Sequence, residues 1–383
     1  MHPTRQLRRL ARIKNGSDHS RVQDDNGAYP VYGSGGEFAR ACQPLHSGPS
    51  VLLGRKGTID RPILVNGEFW TVDTMFCVQP YPNVSARFLY YACTTIPFSQ
   101  LSTNTALPSM TQGDLKEVRL PAPDFGTQNL IADFLDRETA KIDALISKQE
   151  QLIATLREES DRLWAQDVVQ LSESFPTVQL RRVIESIADG PFGSSLTSSH
   201  YSPEGARVVR LGNIGINEFR DNDHAYIPLD YARTLATHEV TEGDVVVAGL
   251  GDEKMPLGRA AVVPDIGPAI VKADCYRIRT RADRLRPDYL AWFLSAPPTR
   301  SQIALLARGA TRSRLNTSVV KNVKIPTPPL TTQESVVLKS RDHLSRITIL
   351  VSEAEKLSET LHEYRSALIT NAVTGKIDVR ETA

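Results

Sequence analysis

The feature that most constrains this chain is a phrase it contains twice. "VRLPAPDFGTQ" (Val118–Gln128) returns as "VKIPTPPLTTQ" (Val323–Gln333), so that Pro121 becomes Pro326, 205 positions on (326 − 121). The echo continues without a gap: Ile142, Leu145, Leu152, Leu156, Leu163 and Val168 find identical residues at Ile347, Leu350, Leu357, Leu361, Leu368 and Val373. Gapless identity suits a helix, where one inserted residue would rotate everything beyond it by about 100°. An earlier echo, "QLRR" at Gln6–Arg9 and Gln179–Arg182, is spaced by 173, so the second copy carries 32 further residues inside the shared frame (205 − 173). The chain is an internal duplication whose halves differ within that frame.

The gapless section reads as two long helices, each of about 40 residues and about 60 Å. Leu135, Ile142, Leu145, Leu152, Leu156 and Leu163, with polar Gln149 among them, fall at helical steps in the first copy. Leu344, Ile347, Val351, Ala354, Leu361 and Leu368 do so in the second. Such narrow seams bury each other, and the duplication favours an antiparallel, coiled-coil pair with a pseudo-twofold layout. Asp124 and either Thr331 or Thr332 are the candidate caps. Ahead of each helix lie short β-rich runs broken by Gly, Pro, Asn and Asp, then the helical patterns "ARFLYYACTTI" and "PDYLAWFLSAP". The expected fold is α+β: globules at 1–124 and 173–327, a spacer helix at 125–172, and a second spacer helix with a C-terminal tail at 328–383.

At 383 residues the chain is too long for one ordinary core, and 40% hydrophobic with 23% charged residues is a soluble, folded composition. Its 45 basic and 44 acidic residues leave nucleic-acid binding to be decided by where the charges lie. The four cysteines form no CxxC pair and read as reduced, buried thiols. No apolar run of about 18 residues occurs, so a cytoplasmic protein with no membrane contact is expected. There is no GxGxxG, P-loop, HExxH or GxSxG pattern, and no Asn-Pro-Pro-aromatic motif of the kind amino-methyltransferases use to grip a base. The chain is therefore expected to catalyse nothing and to bind no metal or cofactor itself.

What remains is polar and loop-borne. Arg55 and Lys56 stand in "GRKGT", Asn104 in "STNT", and Arg308, Arg312 and Arg314 in "ARGATRSRLNT". Such side chains read base edges and hold phosphates; the alternative is solvated surface charge. "RQLRRLARIK" (Arg5–Lys14) reads either as a phosphate-binding face or as a plain basic helix.

These residues resemble the specificity subunit of type I restriction-modification systems. The likeness is carried by "YPVYGSGG" and "LPAPDFGTQNLIADFLDRETAKIDALI" in the first half. In the second it is carried by "DGPFGSSLTSSHY", "RVVRLGNI", "VKNVKIPTPPLTTQE" and "ALITNAVTGKIDV". The resemblance implies two target-recognition domains that read the halves of a split double-stranded DNA sequence. Two methyltransferase subunits, which hold S-adenosylmethionine, and restriction (translocase) subunits are the implied partners. The unequal halves imply an asymmetric target. Candidate DNA contacts are Ser34, Arg55, Lys56 and Asn104 in the first domain, and Ser194, Ser195, Arg210, Asn213, Arg312 and Arg314 in the second. The resemblance supports these regions rather than the individual residues: Arg210 has the alternative of bracing a strand, and Asn213 of occupying a turn. Apolar residues off the seam, Phe134, Ile146, Ile153 and Trp164, are the partner-binding candidates, with a widened buried face as the alternative. A coiled-coil adaptor without DNA specificity and a stand-alone DNA-modifying enzyme are the competing classes.

Overall fold

The computed structural model describes residues 1–101, 108–252, 254–307 and 314–379. Its first half contains β1 (Thr4–Gln6), β2 (Ala11–Asn15), β3 (Tyr29–Gly33), β4 (Gly36–Ala41), β5 (His46–Ser47), β6 (Ser50–Gly54), β7 (Ile63–Val65), β8 (Glu68–Thr71) and β9 (Met75–Pro80). Helices α1 (Ala86–Thr94), α2 (Phe98–Leu101) and α3 (Gln112–Glu117), strand β10 (Arg119–Pro121) and the long α4 (Phe125–Ser174) follow. The second half begins with β11 (Thr177–Gln179), β12 (Ile184–Ala188), β13 (Ala206–Val209), β14 (Tyr226–Ile227), α5 (Leu229–Thr234), β15 (Glu239–Val240), β16 (Val245–Ala248), β17 (Ala260–Val262), β18 (Ala269–Val271) and β19 (Cys275–Thr280). It ends with α6 (Pro287–Ser295), α7 (Pro297–Leu306), α8 (Thr317–Asn322), β20 (Lys324–Pro326) and α9 (Leu330–Thr374).

The two halves share one topology. In the first, β1 pairs with β10, β2-β9-β6-β7 form an antiparallel sheet, and β4-β3-β8-β5 form a mixed sheet whose central β3·β8 pair is parallel. In the second the orders are β11-β20, β12-β19-β16-β17 and β14-β13-β18-β15, again with a parallel central pair. One close backbone crossing is shared at equivalent residues. A Cβ on Gly16 would lie 1.9 Å from the Val72 carbonyl oxygen, and one on Gly190 would lie 2.0 Å from the Lys272 carbonyl carbon, so neither site admits a side chain.

The chain divides into two units, Met1–Gln151 with Ala354–Ala383, and Leu152–Glu353. In the first unit, fully buried Val51, Leu53 and Val78 on the sheet meet Phe88 and Leu89 of α1, Leu135 of α4 and Val373 of α9. There the end of α9 lies beside the start of the chain, the His2 N–H donating to the Thr374 carbonyl at 2.9 Å. Asp143 and Arg365 pair at 2.7 Å, so the two long helices run antiparallel. In the second unit Trp164 and Val168 of α4 pack with Trp292, Val337 and Ile325. Thr327 N–H donates to the Pro176 carbonyl at 3.0 Å, and Lys339 meets Asp167 at 3.3 Å, again antiparallel.

The repeated phrase has a structural reason. Gln128, 3% exposed, accepts from the Ser85 N–H at the head of α1 (2.8 Å) and donates to the Pro123 carbonyl (2.9 Å). Gln333, fully buried, accepts from the Arg286 N–H at the head of α6 (2.9 Å) and donates to the Arg284 and Pro328 carbonyls (2.9 Å each). One glutamine per copy thus satisfies backbone groups that the short helix and the proline turn would otherwise leave unpaired in the interior.

Several expectations are corrected. The helices have 50 and 45 residues rather than about 40, hence about 75 and 68 Å. Asp124 caps α4, accepting from the Thr127 N–H at 3.0 Å, but Thr331 and Thr332 lie inside the first turn of α9 and cap nothing. The α4 seam runs through Leu135, Thr139, Ile142, Ile146, Gln149, Ile153 and Leu156, alternating steps of four and three, and leaves Leu145 and Leu152 exposed by 47% and 46%. Ile146, buried, and Ile153, half-buried, therefore fall on the seam, in keeping with the widened-face alternative. The α9 seam contains the expected residues. Arg5–Lys14 is strand, turn and strand rather than a helix, and Cys42 is exposed while the other three cysteines are buried.

Candidate nucleic-acid interface

In the first unit three segments converge. The turn between β3 and β4 carries Ser34, whose Oγ lies 3.0 Å from where a Cβ on Gly57 would stand. Gly57, at φ +82°, ends the "GRKG" turn after β6. That turn is held to the segment before α3 by the Lys56·Ser109 bridge and by the Gly57 N–H on the Pro108 carbonyl at 3.1 Å. Arg55 reaches only the Asp73 carbonyl, at 3.4 Å, and Arg55, Lys56 and Arg61 have no carboxylate partner among the described residues. Lys56 and Arg61 are exposed and Arg55 is half-buried. Phe38, 57% exposed, stands on β4 beside the glycines of the Ser34 turn, its ring 3.2 Å from the position a Gly33 Cβ would take.

The equivalent segments converge in the second unit with different contents. Leu250 bridges Arg314 as Lys56 bridges Ser109, and the Leu315 N–H donates to the Gly249 carbonyl at 2.9 Å. The tight β3–β4 turn is replaced by the longer stretch between β13 and β14, which holds Arg210 and Asn213. Part of the extra length of the second copy is spent there, within the segment that carries Ser34 in the first. Leu211, Gly212, Leu250, Gly251 and Met255 line a cavity of about 280 Å³ with Arg220 and Arg259.

The charges of this second cluster are mostly engaged. Arg210 pairs with Asp223, Arg207 with Asp221 at 2.6 Å, and Arg314 with Asp274 at 2.6 Å. The Arg314 guanidinium also sits 5.3 Å from the centre of the Phe192 ring, which is 50% exposed. Asp189 accepts from the Asp274 N–H at 3.2 Å, and burial pushes its carboxyl above the usual carboxylate range. Arg259 is 4% exposed, and burial pulls its guanidinium below the usual arginine range.

The sequence candidates fall into distinct places. Ser34, Arg55 and Lys56 share the first cluster; Ser194, Ser195 and Arg314 are exposed in the second. Arg210 is half-buried on Asp223, in keeping with the bracing alternative. Asn213 is fully buried: its Oδ1 accepts from the Arg210 N–H and its Nδ2 donates to the Arg220 and Asp223 carbonyls, so its amide serves the turn and none of it faces outward. Asn104, Arg308 and Arg312 lie outside the described residues. Among the partner candidates, Trp164 is 6% exposed against Trp292, and Phe134 is half-buried against the first unit's core. Sequence reasoning missed Arg61. The sheet registers give it the position equivalent to Arg259 in the other copy, and the echo "RPILV" (Arg61–Val65) with "RAAVV" (Arg259–Val263) carried the signal.

Residues 4–154 match the family model described as "Type I restriction modification DNA specificity domain". The resemblance read from the sequence is borne out. The match runs from β1 into α4, and the strand orders of that matched segment are repeated in the second half of the chain. The MjaVIII type I restriction enzyme specificity subunit of Methanocaldococcus jannaschii is 20% identical over 72% of this chain and 66% of its own length, just under two thirds. A putative type I specificity subunit of Haemophilus influenzae is 22% identical over 90% of this chain and 89% of its own. A solved structure from work on the assembly and conformational transition of the type I R-M system has the same fold. It gives a TM-score of 0.69 at 16% identity and covers 98% of this chain and 100% of that one. Among the described residues no helix is long and apolar enough to cross a membrane.

Proposed function

We propose that this chain is the sequence-reading, non-catalytic subunit of a type I restriction-modification complex. Each unit's loop cluster reads one half of a bipartite, asymmetric double-stranded DNA target, and the helical residues between the clusters set the unread gap. The observation that supports this best is one scaffold built twice, with unlike loops hung at equivalent places. Arg55, Lys56 and Arg61, cations with no carboxylate partner among the described residues, suit phosphate contacts in the first cluster. The carboxylate-tied arginines of the second suit directional contacts from side chains already held in place. A palindromic target would call for two like readers.

Methyltransferase subunits, which would hold S-adenosylmethionine and methylate adenine, dock on the long helices in this reading. Leu145 and Leu152 on α4, and Leu350 and Leu357 on α9, occupy equivalent positions in the two copies, and all four are exposed by 46–49%. Each pair is spaced by one heptad and so lies on one face. Two like faces suit two copies of one partner; restriction (translocase) subunits would join through these.

The test is selection from a pool of randomised duplexes by the chain assembled with methyltransferase subunits, followed by binding at several salt concentrations. Two unlike half-sites at a fixed gap should be enriched. Replacing Arg55, Lys56 and Arg61 with Ala should reduce the salt slope by about one for each phosphate no longer neutralised. No enriched sequence, with salt-indifferent binding, would favour the adaptor reading; methyl transfer by the chain alone would favour the enzyme reading.

A further inference from the structure

We infer that Arg259 is the positioning residue of the second reader: a buried guanidinium that clamps the 211–214 turn to the backbone at Leu250, Met255 and Pro256 and so presents both to DNA. The inference rests on the DNA-reading function proposed above. Arg259 begins the segment that enters β17, at the base of the loop cluster. Its Nε donates to the Ile214 carbonyl at 2.6 Å and its Nη2 to the Leu211 carbonyl at 3.0 Å, which fixes the first turn. Its Nη1 donates to the carbonyls of Leu250 (2.9 Å), Met255 (3.2 Å) and Pro256 (3.2 Å), which fixes the second loop. No carboxylate among the described residues forms an ion pair with it.

A charge this buried is costly, and among the described residues every hydrogen bond that compensates it is accepted by a backbone carbonyl. Those carbonyls belong to two separate stretches that no strand pairing joins among the described residues. Only a flat fork with five N–H donors reaches all of them together; a lysine ammonium is a point donor and cannot span them. The clamp continues outward. Ile214 follows Asn213, whose amide holds the Arg220 and Asp223 carbonyls, and Asp223 in turn holds Arg210. Arg259 thus fixes, through backbone, the position of the arginine that the sequence put forward as a base contact. Among the described residues the first unit has no such clamp: Arg61, at the matching place, is exposed, and the short turn carrying Ser34 lies against Gly57.

The experiment uses the full chain assembled with methyltransferase subunits, and selection from randomised duplexes scores each half-site separately. Arg259→Met should lower discrimination at the second reader's half-site by about tenfold or more. Discrimination at the first reader's half-site, and weak binding to unrelated duplex, should stay within about twofold of the parent. Amide exchange in 211–214 and 250–256 should rise while the Trp164–Trp292 near-ultraviolet signature of the second core is kept. Arg259→Lys, which keeps the charge, should restore little of the lost discrimination. Full discrimination in Arg259→Met, full rescue by lysine, or loss of the second core's signature in both variants would each overturn the inference, the last by making Arg259 a residue of the fold rather than of the loops. If the parent chain enriches no sequence, the DNA-reading proposal fails instead.

Discussion

Gln333→Leu isolates what the repeated glutamine contributes. The side chain is fully buried and makes three hydrogen bonds, one accepted from the Arg286 N–H and two donated to the Arg284 and Pro328 carbonyls. Leucine fills the same space but leaves one donor and two acceptors without partners. A buried polar group stripped of its partner costs about 1–3 kcal/mol, and part of the loss is offset by the added apolar surface, so about 3 kcal/mol in total is expected. For a unit of this size that corresponds to a fall of about 6–12 °C in the unfolding transition of residues Leu152–Glu353, read by calorimetry. Gln333→Glu adds a pH signature. As a carboxylate, the side chain still accepts from Arg286 but faces two carbonyl oxygens with nothing to donate. Burial therefore raises its folded pKa above that of the unfolded chain, and protonation returns one donor. Its deficit should be greatest near neutrality and shrink as pH falls through that raised pKa. A Leu variant within about 0.5 kcal/mol of the parent, or a Glu deficit that grows on acidification, would refute the reasoning.

His46 is buried, its Nε2 lies 3.1 Å from Thr71 Oγ1, and burial lowers its pKa from 6.5 to about 4. The unfolded chain takes up the proton first, so the first unit should lose stability between pH 6.5 and 4, by at most about 3 kcal/mol, and His46→Phe should flatten that slope in acid unfolding curves. Serine at Leu145, Leu152, Leu350 and Leu357 should leave the unfolding temperature unchanged while reducing co-purification of the methyltransferase subunits; undiminished co-purification would remove these residues from the interface. Seven residues inserted after Gln151, with seven more after Glu353, preserve both seams and add about 10 Å of helix, so the unread gap should grow by about three base pairs with both half-sites unchanged. The same insertion in one helix alone should destabilise the chain, and altered half-sites at the old gap would sink the measuring role of the helices.

The duplication, the α+β class and the two helices were legible because they rest on repeated identities and on a period that packing cannot disguise. The α4 seam was misread at two positions for a physical reason. Its true path uses polar Thr139 and Gln149, while Leu145 and Leu152, the more conspicuous apolar residues, face outward. Periodicity finds a stripe of leucines, but it does not say which stripe is buried when two run side by side. The loop clusters were legible as regions and less so as residues. Whether Arg210 or Asn213 faces DNA or the fold depends on Asp223, 13 and 10 residues away, and on a carbonyl network that no local motif encodes. Arg61 and Arg259 teach the same lesson, since one residue type at one place in the frame points outward in one copy and inward in the other.

The four wet leucines bear on how such a chain has to be made. A surface that keeps greasy side chains in water, two to a face, offers like chains something to stick to before the intended cover arrives. Synthesis in excess of the subunits that shield them should yield clumped material, and matched synthesis should yield clear solutions. The ratio at which its components are produced would then be part of how the complex is built.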